Sequence, residues 1–293
     1  MAFYDANANG VNDGEPGLAN WKVVLSGQVS MTTYTNASGS YSFGNLGAGT
    51  YTVTEILPPG TWVSTTSKSR TFTISCDHQS NNFSAGFGNY CQSPSGGLGV
   101  GFWTNKNGQA LITAADLCAL NALSLRNTNG TDFDPLTGCP NPTDQQLNAG
   151  ITALGKWLTA ATATNMANML SAQLAALVLS LRHGYVNGDS FDLCHGTTLN
   201  QLILDANASL AANGNTTASG AARTMQEAMK KCLDALNNGG LVVPPGPCQI
   251  AYVTALVSGP FDNRAFGGPI EQRAPVLPFA AYFRGIGGSV SSV

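Results

Sequence analysis

The sequence predicts a multidomain β-then-α chain: an antiparallel β-sandwich, then a disulfide-containing α-helical domain, then an irregular, β-prone tail. Three observations predict it. Apolar residues alternate with period two between Trp21 and about Cys91. Beyond Gly101 the apolar spacing lengthens to about 3.6 residues, the helical period. Seven cysteines are scattered without any CxxC pair, which favours disulfides over a metal or dithiol site. At 293 residues the chain exceeds what one core ordinarily serves. The expected boundaries are 1–91 for the sandwich, 92–100 for a linker, 101–245 for the helical domain and 246–293 for a carboxy-terminal extension.

In the first region, "WKVVLSG" from Trp21, "MTTYTN" from Met31, "GSYSFGNL" from Gly39, "GTYTVTEI" from Gly49 and "RTFTIS" from Arg70 read as short strands. Gly, Asn or Pro-Gly separates them, the pattern of a small antiparallel sandwich. Alternation puts Tyr51, Val53 and Glu55 on one face. "CQSPSGGLGVG", Cys91 to Gly101, has the composition of a linker.

Five helices follow. "TAADLCALNALSL" opens on the N-cap residue Thr113, and amphipathic runs start at Asp144, Thr164, Thr197 and Ala221. Together they predict a bundle-like domain. The most apolar run, Met166 to Leu181, is interrupted by Asn168, Ser171 and Gln173. It is too short and polar to span a bilayer, so it predicts a buried helix. After "VVPPGPC", residues Gln249 to Val293 mix Pro and Gly with β-prone pieces such as "IAYVTALV" and "LPFAAYF".

Only 10% of residues are charged, against about 25% in an ordinary domain. The formal net charge is -3 and no Lys/Arg cluster exists, which excludes a nucleic-acid partner. Low charge with abundant Gly, Asn, Ser and Thr describes a secreted surface, and the cysteines indicate the same oxidising compartment. No charged and then apolar leader follows Met1, so the expectation is a removed leader or an excised piece. Chain proximity favours Cys76 with Cys91 and Cys118 with Cys139. Cys194, Cys232 and Cys248 then compete for one bond, since seven cysteines cannot all pair within the chain.

The stretch "FYDANANGVNDGEPG", Phe3 to Gly17, spaces oxygen-bearing side chains at alternate positions around a glycine. A calcium loop needs side-chain oxygens at positions one, three and five, glycine at six, a carbonyl at seven and a further carboxylate. Asp5, Asn7, Asn9, Gly10 and the carbonyl of Val11 fill those positions, with Asp13 at nine and Glu15 at eleven. Glu15 falls one residue short of the EF-hand's bidentate Glu, so the loop is EF-like without being an EF-hand. The same composition also supports a turn held by Asx hydrogen bonds. Ca²⁺ is the expected cofactor.

Two stretches, "FYDANANGVNDGEPGL" and "SGSYSFGNLGAGTYTVTEILPPG", resemble the SdrD B-like domains of bacterial surface proteins, relatives of the CnaB pilin and adhesin modules. The resemblance covers about a third of the chain. It implies a secreted, calcium-stabilised sandwich of the immunoglobulin or prealbumin kind, used as a stalk or spacer, with ligands at Asp5, Asn7, Asn9, Val11 and Asp13. CnaB relatives lock themselves with a Lys-to-Asn isopeptide bond assisted by a buried Glu, and Glu55 sits where that acid is expected. No lysine lies on the first strand and Lys22 falls on the next, so the resemblance implies a structural Glu55 without the cross-link. From "GFWTNKNG" at Gly101 the chain is similar to a helical region found beside such repeats, which often starts "GYWKNHP"; Thr104 and Lys106 depart from that start.

Catalysis has one candidate, "GDSFDLCH", whose Ser190, Asp192 and His195 bear a GDS and a DxxH motif as in SGNH-type esterases. Their crowding within six residues and the lack of α/β alternation argue against a triad, so no enzyme is expected. The three histidines, His78, His183 and His195, lack paired zinc-ligand spacing. Trp103, Trp157 and Tyr185 are candidates for stacking on sugars. "NGTDFD", Asn129 to Asp134, is a candidate second calcium loop or an Asx turn. Sequons occur at Asn36, Asn82, Asn129, Asn207 and Asn215. The expected function is a structural subunit or stalk of an extracellular filament or cell-surface assembly, with an adhesin for glycan or host protein as the alternative. For self-assembly, the carboxy-terminal "GIGGSVSSV", with Gly285, Val290 and Val293, would add as a strand to an open sandwich edge at Phe3 of a neighbour.

Overall fold

The computed structural model describes residues 1–76 and 83–249. They belong to one compact unit, Met1–Ala251, which holds two hydrophobic cores. His78, Asn82, Gly285, Val290 and Val293 lie outside the described residues.

The first core lies between two sheets built from β1 (Ala2–Tyr4), β2 (Lys22–Gly27), β3 (Met31–Tyr34), β4 (Gly49–Ile56), β5 (Trp62–Ser64), β6 (Ser69–Ile74) and β7 (Phe87–Cys91). The larger sheet is antiparallel with order β3-β2-β4-β6, and the smaller has order β1-β7-β5. In the smaller sheet β1 runs parallel to β7, while β5 runs antiparallel to it. The alternation of β4 buries Tyr51, Val53 and Glu55. Its other face carries Thr50, Thr52 and Thr54, which hydrogen-bond to Thr73, Thr71 and Ser69 of β6 at 3.2, 3.0 and 2.9 Å. Cross-strand hydroxyl pairs of this kind stabilise a solvated face. Inside, Trp21 meets Trp62 edge-on at 4.9 Å.

Two strand expectations need correction. "GSYSFGNL" enters no ladder among the described residues. Gly39 at φ 73° and Asn45 at φ 57° leave the extended region at both ends of the run, although Tyr41 and Phe43 remain half-buried. Phe3 is not at an open edge. Ala2 N–H donates to Gly39 O at 2.7 Å, Leu18 N–H donates to Ala2 O at 3.0 Å and Tyr4 N–H donates to Pro16 O at 2.8 Å. Phe3 itself bridges Gly17. Glycine makes this closure possible, because a Cβ on Gly17 would lie 2.1 Å from the carbonyl carbon of Ser38.

The chain continues through β8 (Ser93–Pro94), α1 (Val100–Thr104), α2 (Lys106–Gln109), α3 (Ala114–Asn121), α4 (Asp144–Ala160), α5 (Met166–Arg182), β9 (Phe191–Asp192), β10 (Thr197–Thr198), α6 (Leu199–Ala212), α7 (Ala221–Asn237) and β11 (Leu241–Val242). Capping boxes start two helices: Thr113 with Asp116 for α3, and Thr143 with Gln146 for α4. The helices α1 and α2, in "GFWTNKNG", are additions to the five predicted; Asn105 caps α2 by accepting from Asn107 N–H and Gly108 N–H. The buried helix α5 is central and packs on α7, α6, α3 and α1. Its internal polar groups are satisfied, since Asn168 donates to Arg126 O and Asn237 donates to Gln173.

Residues 92–100 are not a loose tether. β8 pairs with β11, Ser95 Oγ donates to Leu236 O, and Leu98 N–H donates to Ser180 Oγ at 3.0 Å. The returning segment seats Val243 in the sandwich core, and Tyr4 Oη donates to Pro244 O at 2.8 Å. Three disulfides are formed: Cys91–Cys248, Cys118–Cys139 and Cys194–Cys232. Cys91 therefore takes Cys248, 157 residues away, in place of Cys76. Cys76 follows β6 of the larger sheet and is exposed, whereas Cys91 ends β7 of the smaller one with its side chain buried against the returning segment.

Candidate metal centre

The loop after β1 is shaped by its own oxygens. Asp5 is fully buried, and its carboxylate accepts from Asn9 N–H at 3.0 Å and Gly10 N–H at 2.7 Å. Asn7 Oδ1 accepts from Asn9 N–H, and Asn9 Oδ1 from Val11 N–H at 2.7 Å. These bonds wind the chain tightly, helped by positive φ at Ala8 and Gly10. The amide groups of Asn7 and Asn9 both donate to Asp13 Oδ2, at 3.2 and 3.1 Å. Glu15 reaches back, its Oε1 accepting from Ala6 N–H at 2.7 Å.

The Asx turn is thus formed, while the Asp5, Asp13 and Glu15 carboxylates are not drawn to within 4.8 Å of one another. Asp5, Asn7, Asn9, Asp13 and Glu15 surround one short loop, and Val11 lies on its exposed side. Glu15 Oε2 is enclosed yet has no hydrogen-bond partner among the described residues. Burial pushes the Glu15 carboxyl above the ordinary range, and the nearby Asp5 and Asp13 carboxylates push it further, against the pull of the Ala6 and Asn7 N–H groups. An unpaired buried oxygen beside two acids asks for a positive charge. Ca²⁺ fits this donor set, which is all oxygen and rich in carboxylate. To ligate, Asn7 and Asn9 would turn their amides so that oxygen faces inward.

A second buried carboxylate, Glu55, lies between the sheets. Its Oε2 accepts from Trp21 Nε1–H at 3.0 Å and Asn89 Nδ2–H at 2.8 Å, and its Oε1 from Ser64 Oγ–H at 2.9 Å. Burial pushes its carboxyl up, and these three donors pull it back only in part. Asn89 belongs to this site but was not singled out by sequence; its signal is a lone amide in the apolar strand run "FGNYC". Tyr4 stands beside Asn89 in the register of β1 with β7. Lys22 is exposed on the opposite face of β2. Lys22 therefore does not meet the Glu55–Asn89 pair.

The remaining candidates are not assembled into sites. Asp192 spends its carboxylate on Cys194 N–H and His195 N–H, while His195 Nε2 pairs with Asp205 at 3.1 Å. Ser190 is buried, and "GDSFDLCH" runs through β9 into the turn before β10 rather than gathering a triad. Asp192, Cys194 and Cys232 come within 4.8 Å of one another, but both thiols are consumed by their disulfide. His183 Nε2 pairs with Asp116 at 3.1 Å, and Arg182 Nε donates to the other oxygen of Asp116 at 2.7 Å. Trp103 and Trp157 are core residues, the latter stacked on Phe133 at 4.3 Å, which leaves Tyr185 as the exposed aromatic of the three. In "NGTDFD" Asn129 Oδ1 accepts from Thr131 N–H, and Asp132 is held by the Arg126 guanidinium, the arrangement of a hairpin turn.

Comparison with known families falls on the sandwich. Residues 1–88 match the SdrD B-like domain. Searches of curated proteins and of solved structures return no match to the chain. The SdrD B-like domain is a structural module of bacterial surface proteins. No helix among the described residues is long and apolar enough to cross a membrane.

Proposed function

We propose that this chain is a structural unit of a secreted bacterial cell-surface assembly, that Ca²⁺ locks its amino-terminal loop, and that copies join head to tail by strand addition. The observation that carries the calcium reading is Glu15 Oε2, enclosed without a hydrogen-bond partner among the described residues, on a carboxyl that the Asp5 and Asp13 carboxylates push up. In this reading Asp5, Asp13 and Glu15 supply the charge, Asn7 and Asn9 supply amide oxygens, and Val11 supplies its carbonyl. The SdrD B-like match supports the surface role. Of the side chains that resemble catalytic motifs, Asp192 is bound to backbone N–H groups and His195 to Asp205, which supports a building block over a catalyst.

Thermal melts of the full chain with Ca²⁺ and with EDTA test the metal. Calcium at a hundred times its Kd adds about 2.7 kcal/mol. The expected outcome is a clear rise in Tm with Ca²⁺, reversed by EDTA and abolished in Asp5→Asn. A Tm indifferent to both reagents overturns the reading.

A further inference from the structure

The smaller sheet covers only part of the larger one. It reaches Trp21 and Glu55 through Trp62, Ser64 and Asn89. Beyond that, Leu25, Val53, Phe72 and Ile74 line a cleft of about 570 Å³, walled on one side by Tyr41 and Phe43. None of the cleft's lining side chains is charged, and the one charged group there is the Met1 ammonium, which donates to Ala85 O at 2.7 Å. The wall is the run "GSYSFGNL", which has a strand's in-and-out pattern but no ladder partner among the described residues. A groove with apolar side chains on its floor and a mixed, partly polar rim, beside a strand-patterned, unladdered segment, has the features of a β-augmentation site: the added backbone would bond to the wall while alternate side chains fill the groove.

We infer that this cleft receives the carboxy-terminal tail, residues 250–293, of a second copy of the chain. The inference rests on the head-to-tail reading above and names its acceptor. The tail's sequence suits the role: "IAYVTALV" is apolar on both alternating faces and free of Gly and Pro, as an enclosed strand must be. Its point of departure suits it too. Gln249 follows Cys248, which is bonded to Cys91 at one end of β7, whereas the cleft is lined by Met1 and Ala85, beside the other end of β7. A tail leaving one pole of the sandwich meets the cleft at the facing pole of the next molecule. Such a contact is heterologous and propagates into a fibre.

The test is photocrosslinking of the full chain carrying p-benzoylphenylalanine at position 43, with Phe72→Glu as a second variant. The expected result is dimers and higher species whose cross-linked peptides join residue 43 to residues 250–293, with pelletable assembly reduced more than ten-fold by Phe72→Glu. Assemblies that form without this cross-link overturn the groove and leave the head-to-tail reading standing. Cross-links confined to monomers overturn the second copy as occupant. A chain that stays monomeric at all concentrations overturns both readings. Should Phe72→Glu fail to fold, the aromatic replacement at Phe43 still decides.

Discussion

At the scale of single residues, two buried acids, Glu55 and Asp116, are accounted for by the donors around them. Glu55 holds Trp21, Asn89 and Ser64 together across the sandwich. Removing it strands three buried donors at about 1–3 kcal/mol each, so Glu55→Ala is expected to lower stability by about 3–5 kcal/mol in urea unfolding. Asp116 is the counterpart in the helical core. Burial pushes its carboxyl up, but hydrogen bonds from Thr113, with Arg182 and His183 beside it, bring it below the ordinary range. A depressed carboxyl stabilises the fold above its unfolded pKa, and that stability is lost as pH falls through the folded value. Asp116→Asn is therefore expected to cost about 3 kcal/mol at pH 7, with the gap to wild type closing in acid; a constant gap from pH 7 to pH 2 contradicts this. Sequence spacing brought Asp5, Asn7, Asn9, Asp13 and Glu15 into one loop because the side chains of a short loop are near in sequence. Asn89 was hidden because its partner Glu55 is 34 residues away.

At the scale of elements, local signals were reliable wherever local bonds decide the structure. The cap residue Thr113 was legible at the start of α3, and β4 was legible from its alternation. The run "GSYSFGNL" misled because its apolar alternation is real, yet its end residues leave the extended region and no strand among the described residues pairs with it. The edge at Phe3 misled for the opposite reason. A three-residue strand is closed by Pro16, Leu18 and Gly39, contacts that no periodicity encodes. Close approach at Gly17 makes this closure testable. Gly17→Ala forces a Cβ into the Ser38 backbone and is expected to destabilise the sandwich by about 2 kcal/mol. Hydrogen exchange should then show Ala2 and Tyr4 amides opening first, and an unchanged exchange pattern refutes the edge-closing role.

At the scale of the whole molecule, the change of period from two to 3.6 correctly divided β from α, because each core obeys its own pattern. How the halves are tied was not legible. Gly96 and Gly97 read as linker by composition, yet a Cβ on either would collide with the carbonyl oxygen of Tyr185 or Leu236. The bond from Cys91 to Cys248 joins positions too distant for any proximity argument. That bond also sets a mechanical consequence. When the chain is pulled from its two ends, tension crosses from β7 directly to Cys248, so the whole helical half hangs off the line of force like a bucket from a rope. Single-molecule stretching of the oxidised chain should leave that half folded. Under reductant, a 157-residue length enters the load path, adding on the order of 500 Å of extension at about 3.5 Å per residue.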